Sequence, residues 1–267
     1  MSLPQTDREL YRQNPLAEVT VQLRFPPILR IEAETPAEFQ ERIRGHYPLY
    51  RRVMAAGQLP TDLPASVRNL VHSMGAAGPV QHLFEDQGRK WSVTLSRESL
   101  ALKTTRYTRW EDFRGRIDFV RAGFEAVYRP ASYTRLGLRY VDIVRRSILG
   151  LTDVAWSELL KPYLAGELAT QELGDSIDSL SRQLHCRLNG ENCFLTLKTA
   201  IALAEPAMPG ASKEKCFLVD SDFHTHGPTE LANVANTLNT FNRASGNLFR
   251  WAIQPRLRDA LGPQPMG

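Results

Sequence analysis

The chain has 267 residues, enough for one large domain or two small ones with a substantial buried core. Hydrophobic residues make up 42% and charged residues 23%, which excludes a disordered or low-complexity chain. Net charge is +4, from 33 basic against 29 acidic side chains, so a surface of mixed sign is expected rather than one built wholly for polyanions.

Residues 17 to 25 alternate. Ala17, Val19, Val21, Leu23 and Phe25 fall on one face and Glu18, Thr20, Gln22 and Arg24 on the other, a half-buried strand stopped by Pro26-Pro27. Thr35-Pro36 opens a helix with Phe39 and Ile43 at helical spacing, ending near Gly45 or Pro48. Residues 56 to 79 read as a long loop with a short helix around 65 to 73. A meander follows: a strand from Val80 to Glu85, a turn at Asp86-Gln87-Gly88, a strand through Trp91, Val93 and Leu95, and a strand through Leu100, Leu102 and Thr104. Phe113, Ile117, Val120, Phe124 and Val127 form one apolar stripe, which predicts a helix that Pro130 ends. Residues 133 to 146 return to strand, with Leu136, Leu138, Tyr140 and Val144 inward and Arg135, Gly137, Arg139 and Val141 outward.

The second half has a similar outline. Residues 156 to 164 read as a short helix, and Asn189-Gly190 as a two-residue hairpin turn. That turn sets Cys186 opposite Cys193 and Leu184 opposite Leu195 on an apolar face. The reverse face carries Gln183, His185, Arg187, Asn192, Thr196 and Lys198. The two thiols are expected to stay reduced and mostly buried, because side chains directed in parallel strain a disulfide. With Cys216 they make three cysteines without C-x-x-C spacing, which argues against a disulfide scaffold or cysteine-rich zinc site. A loop at 205 to 212 precedes a strand from Cys216 to Asp222. Thr229 then caps a helix using Leu231, Val234, Leu238 and Phe241, with a break expected at Gly246.

The expected fold class is therefore α+β: an antiparallel sheet with helices packed mainly on one face, built from two similar βββα halves. The halves are placed at 1–150 and 151–267, sharing one continuous sheet. The N-terminus has no basic stretch followed by an apolar run. No apolar stretch approaches the roughly 20 residues that cross a bilayer. A cytoplasmic location without membrane contact is the expectation.

Four short motifs carry a resemblance. They are Asn14-Pro15-Leu16-x-Glu18-Val19 with Leu23-Arg24-Phe25; Tyr107-x-x-Trp110-x-x-Phe113; Arg135-Leu136-Gly137-Leu138-Arg139-Tyr140; and Leu218-Val219-Asp220-Ser221-Asp222. In this order the chain resembles, over nearly its whole length, a sporadically distributed family of bacterial and archaeal proteins. Asp142 stands where that family often carries asparagine. The resemblance implies no activity, cofactor or catalytic residue. Its patchy distribution implies horizontal transfer, as for genes of mobile elements and defence systems.

Two constellations carry candidate chemistry. Asp220, Asp222, His224 and His226 share a strand face and offer oxygen and nitrogen ligands, but an extended run sets its ends roughly 20 Å apart, too far for one ion. A polar strand end is the plainer interpretation, and no metal or other cofactor is expected. Arginine suits phosphate through its planar fork. Arg135 and Arg139 share a strand face around Gly137, and Arg24, Arg145 and Arg146 lie on or beside the same strands. These five are the candidate binding residues for a protein partner or nucleic acid, against the alternative of an internal ion-pair network with Glu18. Arg114, Asp118, Arg121 and Glu125 alternate in sign and read as a self-neutralising helix surface. Tyr107, Trp110 and Phe113 read as the joint docking that helix onto the meander. There is no G-x-S-x-G elbow and no P-loop. The sequence points first to a non-enzymatic interaction module, an accessory or regulator in a mobile-element, defence or toxin system. An RNA- or DNA-binding protein comes second, and a metal-dependent hydrolase or nuclease centred on Asp220 and Asp222 third.

Overall fold

The computed structural model describes residues 1, 3–56, 77–170, 172–189, 192–204 and 214–265. The strands are β1 (Glu9–Tyr11), β2 (Leu16–Arg24), β3 (Leu49–Ala56), β4 (Ala77–Glu85), β5 (Trp91–Ser96), β6 (Ser99–Thr104), β7 (Arg135–Val144), β8 (Leu180–Arg187), β9 (Cys193–Ala204), β10 (Glu214–Thr225) and β11 (Pro263–Pro265). The helices are α1 (Arg30–Ala33), α2 (Ala37–Ile43), α3 (Trp110–Tyr128), α4 (Trp156–Leu159), α5 (Pro162–Ala165), α6 (Val234–Ala252) and α7 (Pro255–Leu261). Nine strands form an antiparallel sheet in the order β3-β4-β5-β6-β2-β7-β10-β9-β8, and β1 pairs with β11. The fold is α+β, as the patterning indicates.

The chain divides into two compact units that are not contiguous in sequence. One comprises residues 20–136 and 227–232, and the other 1–19, 137–226 and 233–267. The division passes through β2 and β7, whereas the sequence-based division runs at residue 150.

In the first unit, Val21, Leu23 and Phe25 are buried as the alternation requires. The α3 stripe of Phe113, Ile117, Val120 and Phe124 is buried with them. Fully burying such a side chain is worth about 1.5–3 kcal/mol. Phe124 meets Phe25 at 4.7 Å between ring centroids, and Phe39 of α2 meets Phe84 of β4 at 5.4 Å. Glu111 and Asp112 lie in the first turn of α3, where carboxylates complement the helix dipole. Arg129 closes the helix at φ 47°, immediately before Pro130. Tyr107 and Trp110 gather on Phe113, which faces Trp91 at 5.7 Å, so these aromatics do join helix to meander. Asp86 sets the β4–β5 turn by accepting the Lys90 and Trp91 amides at 2.7 and 2.9 Å.

In the second unit, Phe223 of β10 meets Phe241 of α6 at 6.3 Å, and Trp156 of α4 meets Phe217 at 5.7 Å. These rings sit on the inward face of the strands, opposite the face that carries Arg139, Asp220, Asp222 and Lys198. Pro255 begins α7 at a position where its missing N–H costs nothing, and Gly262 ends it at φ +66°.

Several expectations are corrected. Strand β3 has no counterpart in the patterning, and β4 begins earlier than expected, at Ala77. The helix placed at 65 to 73 lies outside the described residues, as do Gly190, Glu191 and the loop at 205 to 212. The helix expected over 156–164 is two helices, because Pro162 has no N–H to continue the first. Thr229 does not cap a helix: its backbone pairs with Tyr133 (3.0 and 2.7 Å), and α6 starts after Asn233. Gly246 does not break α6, which runs through it to Ala252.

The β8–β9 hairpin exists, but its register is displaced by two residues. Cys186 opposes Leu195, and Leu188 N–H donates to the Cys193 carbonyl at 2.9 Å, so the last bonded pair encloses four residues rather than two. A shift of two preserves the face of every side chain. The three cysteines are free. Cys216 is buried, Cys186 and Cys193 are only half-buried, and burial pushes the Cys193 thiol up.

Candidate functional site

The outward face of the second unit holds a cluster of charged groups that the sequence singles out. Asp220 lies on β10 beside Val141 of β7 and Lys198 of β9, and Asp222 lies beside Arg139 and Thr196. The Arg139 guanidinium donates through both arms of its fork to Asp220, Nε to Oδ1 at 2.7 Å and Nη2 to Oδ2 at 2.8 Å. The Asp220 carboxylate holds the Arg139 guanidinium above its ordinary range, and Glu18 and Asp222 act in the same direction. Arg139 remains 46% exposed at its side chain while Asp220 is 10% exposed, so the pair is a surface feature anchored on a buried acid.

Further along the same strands, Arg145 donates to Glu214 at 2.9 Å, and Glu214 also accepts from the Ser147 hydroxyl at 2.7 Å. The Glu214 carboxylate raises the Arg145 guanidinium. Arg146 donates to the Val154 carbonyl at 2.6 Å and lies 4.6 Å over the Trp156 ring. At the other end of β10, His224 stacks on Phe194 at 6.0 Å, and its Nδ1 lies 3.1 Å from the Asp222 carbonyl. Arg187 sits 5.7 Å over Phe194 from the opposite side of the β8–β9 ladder.

In the first unit, Arg135 donates to Gln22 Oε1 at 3.4 Å and is half-buried, and Arg24 is exposed. Arg135 and Arg139 therefore belong to different compact units. Sequence reasoning placed all five candidate arginines on or beside the correct strands. It did not find that Arg139 and Arg145 are held by acids 81 and 69 residues away. The Arg187–Phe194–His224 stack was missed as well.

Chemically, this face presents carboxylates and cations interleaved. Glu18, Asp220, Asp222 and Glu214 stand among Arg139, Arg145, Lys198 and Arg187, so the face has little net charge. Strand β10 carries Asp220, Asp222 and His224 on one face as expected, but among the described residues no group of three His, Cys, Asp or Glu side chains is arranged to hold a metal ion. Among those residues no helix is long and apolar enough to cross a membrane. The helix surface of α3 neutralises itself as expected, through Arg114–Asp118 at 2.9 Å and Arg121–Glu125 at 3.3 Å. Comparison with protein-family models gives no match to the chain, and comparison with the curated proteins gives no similar protein.

Proposed function

We propose that the chain is a non-enzymatic protein-interaction module that presents the polar face around Arg139 and Asp220 to a protein partner. The observation that carries this is the closed fork of Arg139 on Asp220. A guanidinium already bonded through both arms is not poised for phosphate, whereas interleaved charges of both signs suit the mixed polarity of a protein surface. A nucleic-acid face would instead leave its arginines unpaired by acids. The resemblance adds an accessory or regulatory role in a mobile-element, defence or toxin system. Finding a toxin, nuclease or signalling gene beside this one would support that role.

The test is co-purification from the native host with and without sign inversion on the exposed face. Asp222→Lys with Lys198→Glu is expected to release a stoichiometric protein partner that the unsubstituted chain retains, with the circular dichroism spectrum unchanged. Recovery of no such partner, together with turnover of a substrate, overturns the proposal. So does binding to RNA or duplex DNA that falls steeply with salt and weakens on Arg24→Ala with Arg135→Ala.

A further inference from the structure

Strand β8 ends the sheet and, among the described residues, pairs as a strand only with β9. Because Leu188 N–H donates to Cys193, even-numbered residues here turn their backbone groups toward β9 and odd-numbered ones turn theirs outward. Ser181, Gln183 and His185 thus line a free edge with N–H and C=O groups that have no backbone partner among the described residues.

One residue already sits on this edge. The Met1 ammonium donates to the Arg187 carbonyl at 2.8 Å, and the Met1 carbonyl accepts from Asn189 N–H at 3.1 Å. Donating to one residue and accepting from the residue two further on is the bonding of a parallel strand.

Beside the edge, Tyr163, Leu164, Leu184 and Leu197 line a small pocket with Thr199 and Arg182. Leu184 is 46% and Tyr163 42% exposed there. Strand β8 carries Arg182, His185 and Arg187 and no carboxylate.

We propose that this edge binds an extended, acidic segment of a protein partner by strand addition, parallel to β8. The proposal rests on the interaction-module function and names the chemistry of the partner. Main-chain bonds to residues 181, 183 and 185 supply affinity, and side chains supply selection. Alternate residues of the added strand lie on the Leu184 face, where an apolar side chain fills the pocket. The others face Gln183, His185 and Arg187, where a carboxylate is favoured. A second copy of β8 would bring the same basic set against this one, and like charges on neighbouring strands repel.

The experiment selects peptides from a random displayed library on the full chain, then measures amide exchange with one synthetic selected peptide. Enriched sequences are expected to combine Asp or Glu with apolar residues, and the peptide is expected to slow exchange at the Gln183 and His185 amides. Gln183→Pro removes an edge N–H and leaves the β9 ladder whole, so it should weaken binding about tenfold, while Gln183→Ala should not. The exchange result stands on the unsubstituted chain if the proline variant misfolds. No enrichment, protection elsewhere with Gln183→Pro unchanged, or concentration-dependent protection of the same amides without peptide each overturns the proposal. If the sign-inverted face still releases the native partner in those cases, the interaction-module function survives and only the edge is lost.

Discussion

Two stretches of this chain run through the same order of elements, three antiparallel strands followed by a 19-residue helix: β4–β6 with α3, and β8–β10 with α6. The first is closed. Strand β3 covers the outer edge of β4, and Phe84, Val93 and Leu95 are fully buried beneath α2 and α3. The second is left open: among the described residues β8 has no outer strand, and its residues are exposed or half-buried. Their buried polar groups differ too. His82 on β4 is satisfied on both ring nitrogens, by the Tyr50 hydroxyl at 3.0 Å and the Ile31 carbonyl at 2.8 Å. Asp142 on β7, in the same unit as β8–β10, is 7% exposed, and burial is what raises its carboxyl. Element order alone thus does not fix how completely a half is packed. The unit with the open edge and the buried acid is also the one that carries the proposed surfaces.

The largest effect should separate the closed strand from the open one. Phe84→Ala leaves a cavity beside Phe39 and Tyr50 and should destabilise the protein by about 3–5 kcal/mol. Leu184→Ala, at a side chain already half in water, should cost less than about 1 kcal/mol. Urea unfolding of both variants checks this. Equal losses would mean that β8 is packed as tightly as β4.

Asp142 gives the second contrast. Burial alone pushes its carboxyl up to about 7. The folded value lies above the unfolded one, so the protonated form favours folding. That stability is complete below the unfolded value near 4 and is lost as pH rises through about 7. Asp142→Asn removes the titration. Relative to the unsubstituted chain, the variant should gain about 3–4 kcal/mol of stability between pH 4 and pH 8. Denaturant midpoints for both proteins across that range measure it. A difference that does not change with pH would show that Asp142 finds a partner in solution.

What the sequence discloses follows from how local each signal is. Strand β2 and helix α3 are periodic over one element, and both are legible. Strand β3, LYRRVMAA, places Arg51 and Arg52 on successive residues and Met54 in solvent, so it has no clean alternation. The β8–β9 register depended on taking Asn189-Gly190 as the whole turn, when the bond between Leu188 and Cys193 encloses four residues. The arginine cluster was legible as residue types but not as pairs, because Asp220 and Glu214 come from β10, far along the chain. Asp142 had a signal of its own: an acid at an inward position of an alternating strand. The resemblance marks it only as a departure from asparagine, whereas its inward position marks a buried charge.

The satisfied histidine is the smaller counterpart of Asp142. Burial lowers the His82 imidazolium below its ordinary range, so it stays neutral in the fold. Here the sign reverses: stability is complete above the unfolded value near 6.5 and is lost as pH falls below it. Tyr50→Phe strips Nδ1 of its donor and should cost about 1–2 kcal/mol, measurable by thermal unfolding at pH 8. No loss at that pH would mean that the Tyr50 hydroxyl contributes nothing to His82.

The smallest effect compares the two long helices themselves. Gly115 of α3 has open space where a side chain would begin, so Gly115→Ala should stabilise by about 1 kcal/mol through helix propensity alone. Gly246 of α6 is different. A methyl there would lie 2.9 Å from Nη1 and 3.1 Å from Nη2 of Arg250, whose guanidinium also bonds Asn247 at 3.1 Å and Thr6 at 2.5 Å. The obstacle is the far end of a flexible side chain, so it can move, at the loss of one exposed and one part-buried hydrogen bond worth about 0.5–1.5 kcal/mol each. Gly246→Ala should therefore fall short of Gly115→Ala, near zero net change. Thermal midpoints of the two variants and of Gly246→Ala with Arg250→Ala decide it. The double variant should recover the propensity gain relative to Arg250→Ala alone. If it does not, Arg250 is not what opposes a side chain at position 246, and the uninterrupted course of α6 through that glycine has another cause.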